Sequence, residues 1–126
     1  MATPRPKAYL LGGCPFSMRL HVFLTEAKIA HCIDVITVQA DALAHRELFA
    51  RAGATGIVPS FPIVEHSRDN FEVDSQQIIE RLADEHRIDV AALRLLRFYN
   101  ESMLPRFGRM FMELRRLKGD DWKGDL

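Results

Sequence analysis

Cysteine is scarce in this chain of 126 residues, which has only Cys14 and Cys32. Two cysteines do not make a disulfide framework, so each is either buried filler or a reactive thiol, and its local setting decides which. No charge sign is in excess: 17 basic and 17 acidic residues give a formal net charge of zero. Nothing here draws in nucleic acid or an anionic membrane surface, and no acidic run forms a solvating tail. A neutral chain is prone to self-association. Basic residues are scattered, with one local cluster at Arg115, Arg116 and Lys118. No apolar run approaches the ~20 residues that span a bilayer. The stretch from Ala8 to Leu11 is too short for a signal-peptide core, so the expected location is the cytoplasm. His21, His31, His66 and His86 lack metal-ligand spacing, and no metal site is expected.

What is present reads as alternating elements. Lys7 to Leu11 reads as a strand, sharply punctuated by Gly12, Gly13 and Pro15. Leu20, Phe23, Leu24 and Ala27 follow the i, i+3, i+4, i+7 pattern of an amphipathic helix over Phe16 to Lys28. Cys32 to Val38 is rich in β-branched residues and reads as a second strand. Asp41 to Ala52 reads as a helix ended by Gly53 and Gly56. Ile57 to Val64 reads as a strand that must be an edge or begin at a proline, because Pro59 and Pro62 cannot donate to a ladder. Glu65 to Asn70 is a polar turn, Phe71 to Val73 a brief strand, and Asp74 opens a helix through His86. Asp74 and Gln77 have the form of a capping box. The fold class is therefore α/β: βαβ, then α, then ββ, then α, with a mixed sheet. A long helical segment follows, from Val90 to Lys118.

The turn Gly12-Gly13-Cys14-Pro15-Phe16-Ser17 lies between the first strand and helix. Cys14 is then at or just before the N-cap, with Pro15 at the first helical position. Unpaired backbone N–H groups and the positive end of the helix dipole point outward there, a field that stabilises a thiolate. Ser17 stands where a dithiol protein has its second cysteine, so this is a monothiol site and an external thiol must resolve any mixed disulfide. The alternative is that Cys14 is only a small residue buried in a turn. Cys32, inside a strand, reads as filler.

Three segments in order carry a resemblance. YLLGGCPFSMRL, from Tyr9 to Leu20, resembles the first strand and helix of glutathione transferases and glutaredoxins. IVPSF, from Ile57 to Phe61, resembles the Val-Pro segment whose proline is cis in that superfamily. Asp74-Ser75, followed by QQIIERLADEH, resembles the acidic-Ser motif that opens the third helix of glutathione transferases. The resemblance implies a thioredoxin-like, glutathione-binding domain over 1–87, with Cys14 catalytic and Phe16, Val58, Pro59, Asp74 and Ser75 holding glutathione. Val58 would offer its backbone to the tripeptide as an added strand. Asp74 would take the α-amino group of the γ-glutamyl moiety, and Ser75 and the helix N-terminus its carboxylate. Capping by the same pair is compatible with binding. Omega-like members place a basic residue near His45, beside Arg46, for the glycyl carboxylate.

The segment 88–126 resembles the start of the helical C-terminal domain of these transferases, most of which the sequence lacks. The turn from Glu65 to Asn70 looks longer than usual for the family. The expected activity is glutathione-dependent thiol transfer or disulfide reduction, acting on a small-molecule or disulfide substrate; conjugation to an electrophile is the close alternative. A non-catalytic binding or regulatory module is the alternative outside enzymes. Leu93, Leu96, Met103, Phe107, Met110, Leu114 and Leu117 form one stripe, interrupted by Asn100 and broadened by Leu104 and Phe111. That stripe predicts a homodimer through the C-terminal helix. The opposing reading folds the segment back onto its own sheet, helped by a break at Pro105.

Overall fold

The computed structural model describes residues 5–118. In chain order the elements are β1 (Lys7–Leu11), α1 (Pro15–Glu26), β2 (Asp34–Val38), α2 (Leu43–Ala54), β3 (Ile63–Ser67), β4 (Asn70–Val73), α3 (Ser75–His86), α4 (Arg94–Phe98) and α5 (Leu104–Lys118). The sheet runs in the order β2-β1-β3-β4. β1 and β2 are parallel, while β3 is antiparallel to both β1 and β4. This is the mixed α/β sheet expected from the order of elements, in the thioredoxin-like arrangement.

Alternation along β1 splits the core in two. Ala8 and Leu10 join Val64 of β3 beneath α1 and α3, where Leu20, Phe23, Leu24, Ile78, Ile79 and Leu82 are buried. Tyr9 turns to the opposite face with Ile63, against Leu48 and Ala52 of α2. The register fixes this division, since Ala8 pairs with Val64 and Tyr9 with Ile63. A slip of one residue would exchange the two faces.

Several boundaries differ from the sequence expectations. Cys32 is in a short 3-10 turn, Ala30–Cys32, and the strand starts only at Asp34. Asp41 has φ +64°, outside helical space, so α2 starts at Leu43. The apolar run from Ile57 becomes strand only at Ile63, directly after Pro62, and that strand is central rather than an edge. The turn expected to be long is tight: β3 reaches Ser67, β4 starts at Asn70, and Asp69 between them has φ +60°. At α3 the Asp74 carboxylate accepts from Gln76 N at 3.0 Å, so the cap bond falls one residue before Gln77.

The largest departure is in the C-terminal segment, which is not one regular helix. A π turn, Tyr99–Met103, joins α4 to α5, and Leu104 N donates to Tyr99 O. A π turn accommodates one extra residue. It lies just before Pro105, which has no N–H and whose ring would crowd a regular helical turn. The inserted residue rotates everything downstream. Leu93 and Leu96 face the main core with Tyr99 buried beside them, but the inward face then continues as Leu104, Gly108 and Phe111. Phe107, Met110 and Leu117 are turned outward, at 46%, 55% and 67% exposure. The stripe is therefore divided: its Leu93, Leu96, Leu104 and Phe111 fold back on the chain's own core.

Two long-range contacts hold this segment to α1. The Glu26 carboxylate accepts from Leu96 N at 2.8 Å and Leu95 N at 2.9 Å, capping α4 from α1. The Tyr99 hydroxyl donates to Pro15 O at 2.5 Å. Gly108 is where α5 lies against α1, and a Cβ there would make ordinary contact with the Phe16 ring at 3.4 Å.

Candidate functional site

Cys14 is the N-cap of α1 in extended backbone (φ −88°, ψ 119°), with Pro15 next in the helix. Leu11 O accepts from Cys14 N at 3.1 Å and Cys14 O accepts from Met18 N at 3.0 Å, which fixes the turn. The thiol-bearing residue is 3% exposed, among Leu11, Phe111, Phe16, Ala40 and Phe61. Ser17, one turn further, is buried and accepts from Leu11 N at 3.0 Å. Its oxygen is thus committed to holding the strand-to-helix turn.

One cleft of about 730 Å³ opens over this turn. Its walls bring together Cys14, Phe16, His45, Pro59, Asp74 and Ser75, six of the residues singled out in the sequence. Val58 is not among them; it is 83% exposed. The cis peptide bond is Phe61–Pro62, rather than the Val58–Pro59 bond implied by the resemblance. The residue preceding the cis proline, lining the cleft and packed against the Cys14 cluster, is Phe61.

The start of α3 lines the same cleft as Cys14. Asp74 adopts φ +80°, a region that non-glycine residues rarely occupy. Such backbone strain concentrates at functional positions. Ser75 is buried, and its hydroxyl accepts from Arg19 Nη1 at 3.3 Å. Burial holds the Arg19 guanidinium below its ordinary pKa, opposed by the Asp74 carboxylate and by Tyr99. A cation thus sits at the α3 N-terminus.

His45, on the rim, accepts from Asp41 N through Nδ1 at 3.0 Å. That bond fixes the neutral tautomer, with the proton on Nε2. Burial lowers the His45 pKa from its usual value, Asp41 opposes this and Arg115 adds to it. The ring stands edge-on to Phe49 at 4.4 Å and packs on Phe61 at 5.2 Å. α5 contributes Phe111, Met112 and Arg115 to the same cleft, and the Phe16 and Phe111 rings meet edge to face at 6.2 Å. Burial and the nearby Cys14 push the Tyr99 hydroxyl up to about 12, against a smaller lowering by Arg19. It stays protonated and keeps donating to Pro15 O.

Two solved structures resemble this chain in fold. A possible glutathione S-transferase from Rhodopseudomonas palustris superposes with a TM-score of 0.53 at 16% identity, over 91% of this chain and 61% of its own. Glutathione transferase Omega 2C from Trametes versicolor gives 0.50 at 19% identity, over 90% of this chain and 49% of its own. The chain has the fold of the glutathione transferases. It spans between about half and two-thirds of the length of those two structures. No family model and no curated protein sequence matches it.

Within the glutathione-transferase fold, Phe61, Arg19, Tyr99 and Arg115 were missed in the sequence. Arg19 was visible as a basic residue one helical turn after Pro15. Tyr99, buried with its hydroxyl on Pro15 O, gave no local signal, and Arg115 was visible only as part of a basic cluster, because the docking of α5 is what brings it to the cleft. Among the described residues no His, Cys, Asp and Glu group could hold a metal, and no helix is long and apolar enough to cross a membrane.

Proposed function

We propose that the cleft binds glutathione and that Cys14 is the reactive thiol of a glutathione-dependent thiol transferase or disulfide reductase. The observation that supports this most directly is the convergence of two helix N-termini on one cleft: Cys14 opens α1, and Asp74-Ser75 opens α3. Anions are favoured at both. In this reading Asp74 receives the γ-glutamyl amino group, while Ser75, Arg19 and the α3 N-terminus receive its carboxylate. Phe61 takes the place expected of Val58 and offers its backbone to the cysteinyl part of the tripeptide. Phe16 and Pro59 flank the peptide, and the Nε2–H of neutral His45 donates to the glycyl carboxylate.

Cys14 is favoured over a hydroxyl that would activate the thiol of glutathione. Ser17 is held by Leu11 N, and the Tyr9 hydroxyl donates to Glu65 at 3.1 Å on the α2 side of the sheet. The thiolate of Cys14 attacks a glutathionyl mixed disulfide, the partner thiolate leaves, and Cys14 is glutathionylated. A second glutathione thiolate attacks that sulfur, releasing Cys14 and forming glutathione disulfide. The cytoplasm, kept reducing, is where such chemistry fits.

Calorimetry with glutathione tests the binding. Asp74→Ala removes a cap worth ~1 kcal/mol and a charge-assisted contact worth ~1.5–3 kcal/mol, so affinity falls roughly 10- to 100-fold. Asp74→Gly separates the two roles. Glycine accepts φ +80° without strain and costs little as a cap. Its melting temperature should hold while its affinity drops as in Asp74→Ala. Unchanged affinity in the glycine variant would make Asp74 a cap alone.

We also propose a homodimer, now through the outward part of the stripe. Met103, Phe107, Met110, Leu114 and Leu117 follow a 4-3-4-3 spacing, as in a coiled-coil seam. Light scattering across a concentration range should show a dimer, and Met110→Glu should shift it to monomer while the chain stays folded, since Met110 is exposed in the single chain. A wild-type monomer at high concentration refutes the seam.

A further inference from the structure

We propose that Arg115 selects an acidic second substrate: the group carried on the sulfur of glutathione is an apolar or aromatic body bearing a carboxylate. This rests on the glutathione reading and adds the class of its partner. The cations of the cleft have different neighbours. Arg19 is engaged at the α3 N-terminus, with Ser75 and Gln76 as its acceptors. His45 and Arg46 belong to α2, on the side proposed for the glycyl carboxylate. Arg115 is on α5, near enough to His45 to lower that ring's pKa, with its guanidinium carbon 5.8 Å from the centre of the Phe111 ring. Among the described residues no carboxylate forms an ion pair with it.

The wall around it is apolar. Phe16 and Phe111 pack with Cys14, and Met112 lines the same cleft. A substituent leaving the glutathione sulfur toward α5 meets the Phe16 and Phe111 rings, the Met112 thioether and the Arg115 guanidinium, all of which line the cleft. The fork of an arginine suits a carboxylate in two-point contact, better than a lysine would. In the reaction, the Cys14 thiolate bonds to the glutathionyl sulfur and the S–S bond to the acidic group breaks. The acid leaves as its thiolate, its carboxylate still on Arg115, and takes a proton from solvent. A second glutathione thiolate then releases Cys14 as glutathione disulfide, so one disulfide bond is broken and one formed.

The test is binding, which needs no turnover. S-benzylglutathione and S-(4-carboxybenzyl)glutathione are titrated calorimetrically into the wild-type chain and into Arg115→Met. The wild type should bind the carboxylated compound about three- to fivefold more tightly at low salt, the size of a partly exposed ion pair, and the preference should shrink as salt is added. Arg115→Met should bind the two equally, with affinity for S-benzylglutathione and for glutathione itself unchanged. Equal binding by the wild type overturns the inference, as does a preference that survives in Arg115→Met. Loss of glutathione affinity in Arg115→Met also overturns it, since the arginine would then serve glutathione. Failure of glutathione itself to bind the wild type is the distinct result that removes the underlying reading.

Discussion

Cys14→Ser should reduce glutathione-coupled disulfide reduction to the rate of glutathione alone, while Cys32→Ser keeps it. The two thiols differ in setting. Cys14 lines the cleft at the N-cap of α1. A serine there is isosteric but nearly inert toward a disulfide, because an alkoxide is not formed at neutral pH. Cys32 packs against the main core from a 3-10 turn, far in sequence from any cleft residue on α3 or α5. Its replacement by serine costs ~1 kcal/mol for burying a hydroxyl and leaves the chemistry alone. Full activity in Cys14→Ser would sink the assignment of the nucleophile. Mass spectrometry of the wild type mixed with glutathione disulfide should find one glutathionyl adduct, on Cys14.

The three motifs of the resemblance were legible because each is local. A strand, two glycines, Cys-Pro and a helical period name the α1 turn within a dozen residues. Asp74-Ser75 likewise needs only its own helix. The proline was misplaced because Ile57 to Val64 contains two candidates, and local pattern does not rank them. The structure decides through pairing: Ile63 and Val64 must face Tyr9 and Ala8, so the strand begins after Pro62, and Phe61, not Val58, reaches the cleft. The short hairpin at Asp69 was hidden because Glu65 to Ser67 reads as polar. Glu65 belongs to a strand only because a tertiary partner compensates its burial.

The same limit explains the C-terminal segment. A period of 3.5 residues runs unbroken from Leu93 to Leu117 apart from Asn100, so the sequence shows one stripe. The π turn inserts a residue into the helix without leaving a mark in that period. Pro105 is the signal for it, since a regular turn before a proline meets both a missing donor and a steric clash. Which half of the stripe then faces inward is settled by contacts across the fold, Phe111 on Phe16 and Tyr99 on Pro15.

Arg51→Met should lower the stability of the chain by ~2 kcal/mol at pH 7 and shrink that deficit as the pH falls. The reason is Glu65, which is 5% exposed on β3. Its carboxylate accepts from Arg51 Nη2 at 2.5 Å, Asp69 N at 2.9 Å and the Tyr9 hydroxyl at 3.1 Å. Burial by itself raises its pKa, but the Asp69 N–H, the Arg51 guanidinium and the Tyr9 hydroxyl together hold it below the ordinary carboxylate range. A carboxyl with a lowered folded pKa contributes stability at pH values above its unfolded pKa of ~4.3. That contribution is lost as the pH falls through the unfolded and then the folded value. Removing one partner from a fully buried pair costs ~3–5 kcal/mol. Arg51 is 43% exposed as a side chain, so solvent screens it and the lower figure follows. In Arg51→Met, acid neutralises the carboxylate left without its cation, and the variant then loses less than the wild type. Urea unfolding at pH 7 and at pH 3.5 reads this directly. A deficit of the same size at both pH values would mean that Arg51 acts by packing on Phe71, whose ring centre is 5.3 Å away, and not by charge. The pair also ties α2 to β3, so loosening it frees the helix that carries His45 and Arg46. Glutathione affinity in Arg51→Met should therefore fall even though Arg51 lines no part of the cleft.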